Sequence, residues 1–399
     1  MRDRFNAGWS ESLYRRFRAD LERRLGCEVP FPVAETPVFW GLDARDRFAD
    51  AANEIVALLK TPEFIASQES EVPDLYRSPG RGRLPNFAQV DFAVSRNERG
   101  EFVPRLVELQ GFPSLFGFQT QLADVWATQL AARHDMPQSW RLFFGGLDRA
   151  NALALLQRAI VGDHDPDEVV LLDLDPKNQK TYPDFEVTQR WWGVDPLAPQ
   201  ELKRDGKRFF RRKNGKTIPV KRFYHRIVLD ELERTRAEMP FRLDEELDVE
   251  WAPHPEWWFL WSKQSLLHLD HPSVPKTTRL CDVDVIPDDL SGYVLKPLYS
   301  FAGLGVNVEP TRAEVELVKG HPGWVLQEKL DYTNAFKTPK GDDVKVEVRM
   351  MFVRPDDAEE LTLLLNLVRL SRGKMMGVDF NQDLDWTGSS VAMWAEDPP

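Results

Sequence analysis

Hydrophobic and polar positions alternate along this chain in two rhythms, one helical and one extended. Leu13, Phe17, Leu21 and Leu25 recur at helical spacing behind Ser10, a natural N-cap, and Gly26 supplies the stop. A second helix is predicted from Asp43 to Lys60, carrying Phe48, Ile55, Leu58 and Leu59 and ending before Pro62. "SPGRGRLPN" (78–86) is loop chemistry. Two strand-like runs follow it, "FAQVDFAV" and "FVPRLVELQ", and then a helix around 118–133. From residue 140 onward strands and helices take turns. "RLFFGGL" predicts a strand, "ANALALLQRAI" a helix, "EVVLLDLD" a strand and "PDFEVTQRWWG" a helix, which is the alternation of a small α/β layer with parallel pairing. Residues 207–226, "KRFFRRKNGKTIPVKRFYHR", predict a hairpin turning at Asn214-Gly215. After Pro255 the apolar "WWFLWSKQSLLHL" leads into "YVLKPLYSFAGLGV" and "WVLQEKL", and "VKVEVRMMFV" and "LTLLLNLVRL" predict sheet strands.

Composition narrows the class. The 399 residues are enough for two or three domains, and 42% hydrophobic with 29% charged residues is ordinary globular chemistry. No apolar run approaches the roughly 20 residues that cross a bilayer. The start, "MRDRFNAGWSESLYRRF", has neither an apolar core nor a small-residue cleavage site, so no secretory signal is expected. Its Asp3 and Glu11, followed by Asp20 and Glu22, argue against an organelle-targeting peptide. Cys27 and Cys281 stand far apart, as in a reduced cytoplasmic protein without disulfides or a thiolate metal site. A net charge of -12 argues against a general nucleic-acid binder, which needs a basic surface. The expectation is a cytoplasmic protein acting on small molecules, with no nucleic-acid or membrane partner.

Two constellations carry candidate chemistry. In the first, side chains alternate along the strands, so Glu108 and Gln110 share a face. A four-residue hairpin loop, Glu98 to Glu101, places Asp91 directly opposite Glu108. Like charges so close, about 4.5–5.5 Å apart at Cβ, destabilise a sheet unless something compensates. A divalent cation held by oxygen ligands is one answer; an exposed acidic strand pair is the other.

In the second, Lys296 ends a strand, Pro297 blocks further pairing, and Ser300, Gly303 and Gly305 follow. Small residues let backbone N–H groups approach an anion, yet the same stretch also suits a plain turn. It is neither G-x-x-x-x-G-K-[ST] nor G-x-G-x-x-G. Lys263 lies upstream, and the polar pair Gln327-Glu328 downstream suits the edge of an adenine. On "VKVEVRMMFV", Lys345, Glu347 and Arg349 share a face, either lining a cleft or ion-paired in solvent.

The remaining features are weaker. The basic hairpin at 207–226 is either solvated or a face for an anionic ligand. His268 with His271, and Asp379, Asp383 and Asp385, are weak metal candidates. No G-x-S-x-G elbow occurs and neither cysteine has a nearby histidine, which disfavours covalent hydrolase chemistry.

Taken in order, these motifs resemble the ATP-grasp superfamily, in particular its circularly permuted branch typified by glutathionylspermidine synthetase. "VDFAV…RLVELQGFPS" is similar to that family's metal-binding segment, and "FYHRIVLDEL" to the segment leading into its ATP domain. "HPEWWFLWSKQSLLHL", "YVLKPLYSFAGLGV" and "WVLQEKL" are similar to its first lysine, its second lysine with glycine loop, and its adenine hinge.

The resemblance implies an α/β (α+β) chain with an ATP-grasp-like fold in circularly permuted order, preceded by a small α/β, preATP-grasp-like domain. Residues 1–140 would supply helices and acidic metal-site strands, 141–250 the preATP-grasp-like domain with the basic hairpin, and 251–399 the ATP-grasp nucleotide-binding domain. It implies that Lys263 and Lys296 hold ATP phosphates, covered by Ser300, Gly303 and Gly305. Gln327, Glu328 and Lys329 would border the adenine, and Asp91, Glu108 and Gln110 would hold Mg2+. The implied reaction is ATP- and Mg2+-dependent ligation of a small-molecule or peptide carboxylate to an amine through an acyl phosphate.

Three positions depart from the family's pattern. Gln110 replaces an asparagine, Gln89 an arginine near the transferred phosphate, and Phe301 an arginine in the glycine loop. Arg349, Arg369 or Arg372 would have to supply the missing charge, and Arg369 and Arg349 are the expected catalytic pair. No counterpart of the synthetase's amidase domain is expected in these residues, which lack a plausible Cys/His pair. An ATP-binding protein without ligase activity and a phosphotransferase remain the alternatives.

Overall fold

The computed structural model describes residues 1–298, 305–373, 376, 381 and 383–395. Its largest sheet is antiparallel and mixes the two ends of the sequence. The strands run Gly388–Ser390, Thr362–Ser371, Asp343–Val353, Phe87–Arg96 and Phe102–Gln110, and Asn334–Lys337 pairs with the start of Asp343–Val353. Alternation explains its two faces. Val90, Phe92, Val348 and Met350 turn to one side, where Phe92 meets Phe48 of the helix Leu42–Leu59 at a ring distance of 5.9 Å. The other face begins apolar, with Phe87 against Phe116 and Tyr224, and becomes polar through Gln89 and Asp91.

The hairpin from 87 to 110 corrects one expectation and keeps its consequence. Its loop is five residues, Asn97 to Glu101, tied by the Asn97 carboxamide oxygen to the Arg99 and Glu101 N–H groups. That length alone would slide Asp91 past Glu108. A register shift between Asp91 and Phe92 restores the pairing, so Asp91 does stand opposite Glu108.

The middle of the chain forms a four-stranded sheet in the order Glu250–Ala252, Arg222–His225, Val169–Leu172, Asp195–Leu197, parallel throughout. The helices Arg149–Val161 and Tyr182–Trp192 belong to this region, as the alternation predicts. The expected strand at 141–147 shrinks to Trp140–Arg141, because Gly145 and Gly146 turn the chain at φ +62° and +72°. The basic hairpin turns at Asn214-Gly215, both at positive φ, between the strands Arg208–Lys213 and Lys216–Val220. Several of its charges are answered locally: Lys213 and Arg211 contact Asp195, and Lys207 contacts Glu246.

Near the N-terminus, Ser10 caps the helix Glu11–Leu25 and Gly26 ends it at φ +85°. After the helix Leu42–Leu59, Pro62 opens the helix Pro62–Gln68 as its first residue behind the cap Thr61. A small antiparallel sheet, Thr277–Arg279, Trp324–Glu328 and Tyr293–Pro297, has its own core of Leu280, Ile286, Leu290, Leu295, Val315 and Leu326. Among the described residues no helix is long and apolar enough to cross a membrane.

Candidate functional site

The small sheet and the large sheet meet along the edge strand Phe102–Gln110, and the charged residues collect there. Backbone bonds fasten the approach: Leu106 N–H donates to Ser273 O at 2.7 Å, and Gly111 N–H to Trp261 O at 2.8 Å. A Cβ on Gly111 would lie 2.8 Å from the Trp257 carbonyl oxygen, so only glycine lets these segments touch. That contact sets Lys263, just beyond Trp261, with its Nζ 3.5 Å from Glu108. From the small sheet Lys296 reaches across and donates to the Val107 carbonyl at 3.4 Å.

Asp91 lies at the centre of the cluster and is 1% exposed. Arg349, directly across from it in the sheet, donates through Nε and Nη2 to its two oxygens, each at 2.6 Å. Arg369 bridges Asp91 and Glu347, and the Tyr332 hydroxyl donates to Glu347 at 2.7 Å. Arg349 Nη2 also lies 3.8 Å from Glu108. Four cations, Lys263, Lys296, Arg349 and Arg369, thus surround three carboxylates, Asp91, Glu108 and Glu347, an excess of one positive charge.

Titration follows from this crowding. Burial and then the neighbouring Lys263 push Lys296 down to about 8, against the pull of Glu108 and Glu347. Burial opposes the Glu108 carboxylate, yet Lys263, Arg369, Arg349 and Lys296 together hold it at about 2. Burial raises Glu347, with Arg369 working the other way. Burial also opposes the Arg369 charge, but Glu347, Asp91 and Glu108 raise its pKa.

The expected magnesium ligands do not fit a metal as they are arranged. Both Asp91 oxygens are taken by guanidinium groups, and the Gln110 amide donates to Gln89 Oε1 at 2.5 Å. Gln89 in turn donates to Ser114 O at 2.8 Å, so the two glutamines lock each other. Among the described residues no group of three or more His, Cys, Asp or Glu is placed to hold a metal ion. The like-charge pair in the sheet is compensated, but by arginine and lysine.

The other expected site residues are placed as follows. Gly305 has φ +75°, and a Cβ there would come within 3.0 Å of Pro297, so the turn needs a glycine. Leu295 and Asn307 exchange backbone bonds of 2.9 Å. Ser300, Gly303, Phe301 and Asp379 lie outside the described residues. Gln327 is buried and donates to Thr277 Oγ1 at 2.9 Å. Glu328 and Lys329 are exposed, and their N–H groups are held by Lys276 O and Gly292 O at 2.8 Å.

Arg372 turns away to Asp385 and Asp342, leaving Arg349 and Arg369 as the guanidiniums of the cluster. His271 pairs with Glu54 at 2.9 Å and His268 with Gln264 at 3.3 Å, so the two histidines do not converge. Asp385 contacts Arg372 and Lys340. Sequence reasoning missed Tyr332 and did not single out Glu347 as a site residue; its alternation with Arg349 was the available signal.

No family model matches the sequence, and no curated protein matches it. Among solved structures, the chain is similar to a glutathione synthetase-like effector, GSS30, from Globodera pallida in its apo form. The two are 12% identical, with a TM-score of 0.62 and 96% of each chain covered. The likeness is one of fold: this chain is a mixed α/β protein of several sheets with a glutathione synthetase-like architecture.

Proposed function

We propose that the chain binds ATP between the small and large sheets and uses it to join a carboxylate to an amine. The observation that carries this is the convergence of Lys263, Lys296, Arg349 and Arg369, from four separate segments, on one buried spot with positive charge in excess. The glutathione synthetase-like fold supports the choice of a nucleotide and of ligation chemistry. The proposal includes an ATP-grasp domain in permuted order and a preATP-grasp-like parallel layer within 141–250. Its support is the N-terminal hairpin embedded in the C-terminal sheet and the parallel middle sheet.

Lys263 and Lys296 take the phosphates, Ser300, Gly303 and Gly305 cover them, and Gln327, Glu328 and Lys329 border the adenine. Arg369, the more exposed guanidinium at 23% of its side chain, faces the phosphoryl group in transfer. A carboxylate oxygen attacks the γ-phosphorus as its bond to the β–γ bridging oxygen breaks, and ADP leaves. The amine nitrogen then attacks the acyl carbon, phosphate departs, and the amine's surplus proton passes to solvent.

A second reading, ATP binding without ligation, is favoured by the Gln89–Gln110 lock where the family carries arginine and asparagine. ADP release over a panel of small and peptide carboxylates and amines separates the two. ADP that appears only with both substrates, alongside an amide, supports ligation; ATP bound but never turned over supports the second reading. A stable phosphorylated product would point to a phosphotransferase.

A further inference from the structure

We propose that the site holds nucleotide phosphates without a protein-bound divalent cation, with Arg349 and Arg369 standing where a carboxylate-held metal would bridge protein and phosphate. The inference rests on the ATP reading above and concerns how that anion is received.

A metal bound through Asp91 would have to displace a two-pronged guanidinium from a carboxylate that is 1% exposed. The displaced Arg349, only 9% exposed, would keep just the longer 3.8 Å contact with Glu108, a costly loss of pairing for a buried charge. Glu347 offers no better seat, because Arg369 and the Tyr332 hydroxyl already hold it. Glu108 has more room, with 22% of its side chain exposed, but Lys263 and Arg349 flank it at 3.5 and 3.8 Å. A cation arriving there meets positive charge on both sides.

An incoming anion meets the opposite situation. Arg349 contacts its carboxylates through Nε and Nη2, and Arg369 through Nη2. A guanidinium carries five N–H donors in a planar fork, so neither is exhausted by these contacts. Phosphate oxygens can therefore be met by the donors that remain on the guanidiniums while the Asp91 pair stays made. The carboxylates keep the arginines charged and oriented while the arginines meet the phosphate.

The test is a calorimetric titration of ATP into the full chain, once in EDTA and once in excess Mg2+. ATP should bind in EDTA at least as tightly as in Mg2+, and Mn2+ alone should show no protein-bound fraction by paramagnetic resonance. ATP binding that needs Mg2+, or is tightened tenfold or more by it, overturns the proposal, as does Mn2+ bound by the protein alone. Binding in neither condition overturns the ATP reading itself, and this inference with it. In Arg349→Gln, Asp91 Oδ1 is freed while Arg369 still holds Oδ2, and Mg2+ should now tighten ATP at least tenfold. Should that variant not fold, Arg369→Gln, at a more exposed position, replaces it and is expected to gain Mg2+ dependence in the same direction. A folded variant of either kind that stays indifferent to Mg2+ counts against the guanidiniums standing in the metal's place.

Discussion

At the scale of single residues, Lys296 is the most telling group. Its ammonium is buried beside Lys263, and the pKa falls from 10.5 to about 8. Phosphate binding favours the charged form, so ATP affinity should fall as pH rises through about 8, and protons should be taken up on binding near that pH. The free protein moves the other way. Because the folded pKa is depressed, the unfolded chain holds more protons between about 8 and 10.5, and stability rises with pH across that window. Calorimetry in buffers of different ionisation enthalpy measures the proton uptake; an enthalpy independent of buffer near pH 8 would contradict it. Some of this was legible in the sequence: the two lysines, Arg349 and Arg369 were all identifiable. The partner of each was not, because alternation assigns a face and leaves open which strand lies alongside. The Asp91–Glu108 pair was read as either a divalent-metal site or an exposed acidic pair; Asp91 is instead answered by a guanidinium from a residue 258 positions away.

At the scale of elements, the hairpin from 87 to 110 and the glycine after it do the positioning. The run of alternating residues identified both strands, and the pairing of Asp91 with Glu108 was anticipated from a loop one residue too short. The bulge that corrects the count has no sequence signature of its own; beyond it Phe92 pairs with Leu106, both buried. "RLFFGGL" failed as a strand for a readable reason, the two glycines, which the apolar run around them masked. Gly111 gives a sharper test. A methyl group there collides with the Trp257 carbonyl and crowds the Cβ atoms of Trp257 and Trp261 at 3.2 Å. Gly111→Ala should cost about 1–3 kcal/mol in urea unfolding, as overpacking does. It should also weaken ATP binding by shifting Lys263 away from Glu108. A variant with wild-type stability and affinity would show that this contact does not set the lysine's place.

At the scale of the whole molecule, one large core runs from Phe5 to Trp394, while the small sheet keeps a separate core. The parallel middle layer was legible because strands and helices alternate along it. The union of the first and last thirds of the chain in one sheet followed from no local pattern. In the proposed function, the four cations between the two sheets bind the phosphates of ATP. The most direct measurement is a calorimetric titration at neutral pH, comparing ATP with AMP on wild type and on Lys296→Ala. ATP should bind at least tenfold tighter than AMP, and Lys296→Ala should weaken ATP by about 10- to 100-fold, as loss of one charge-assisted hydrogen bond would. Equal affinities for ATP and AMP, or a folded Lys296→Ala that binds ATP as wild type does, would contradict it.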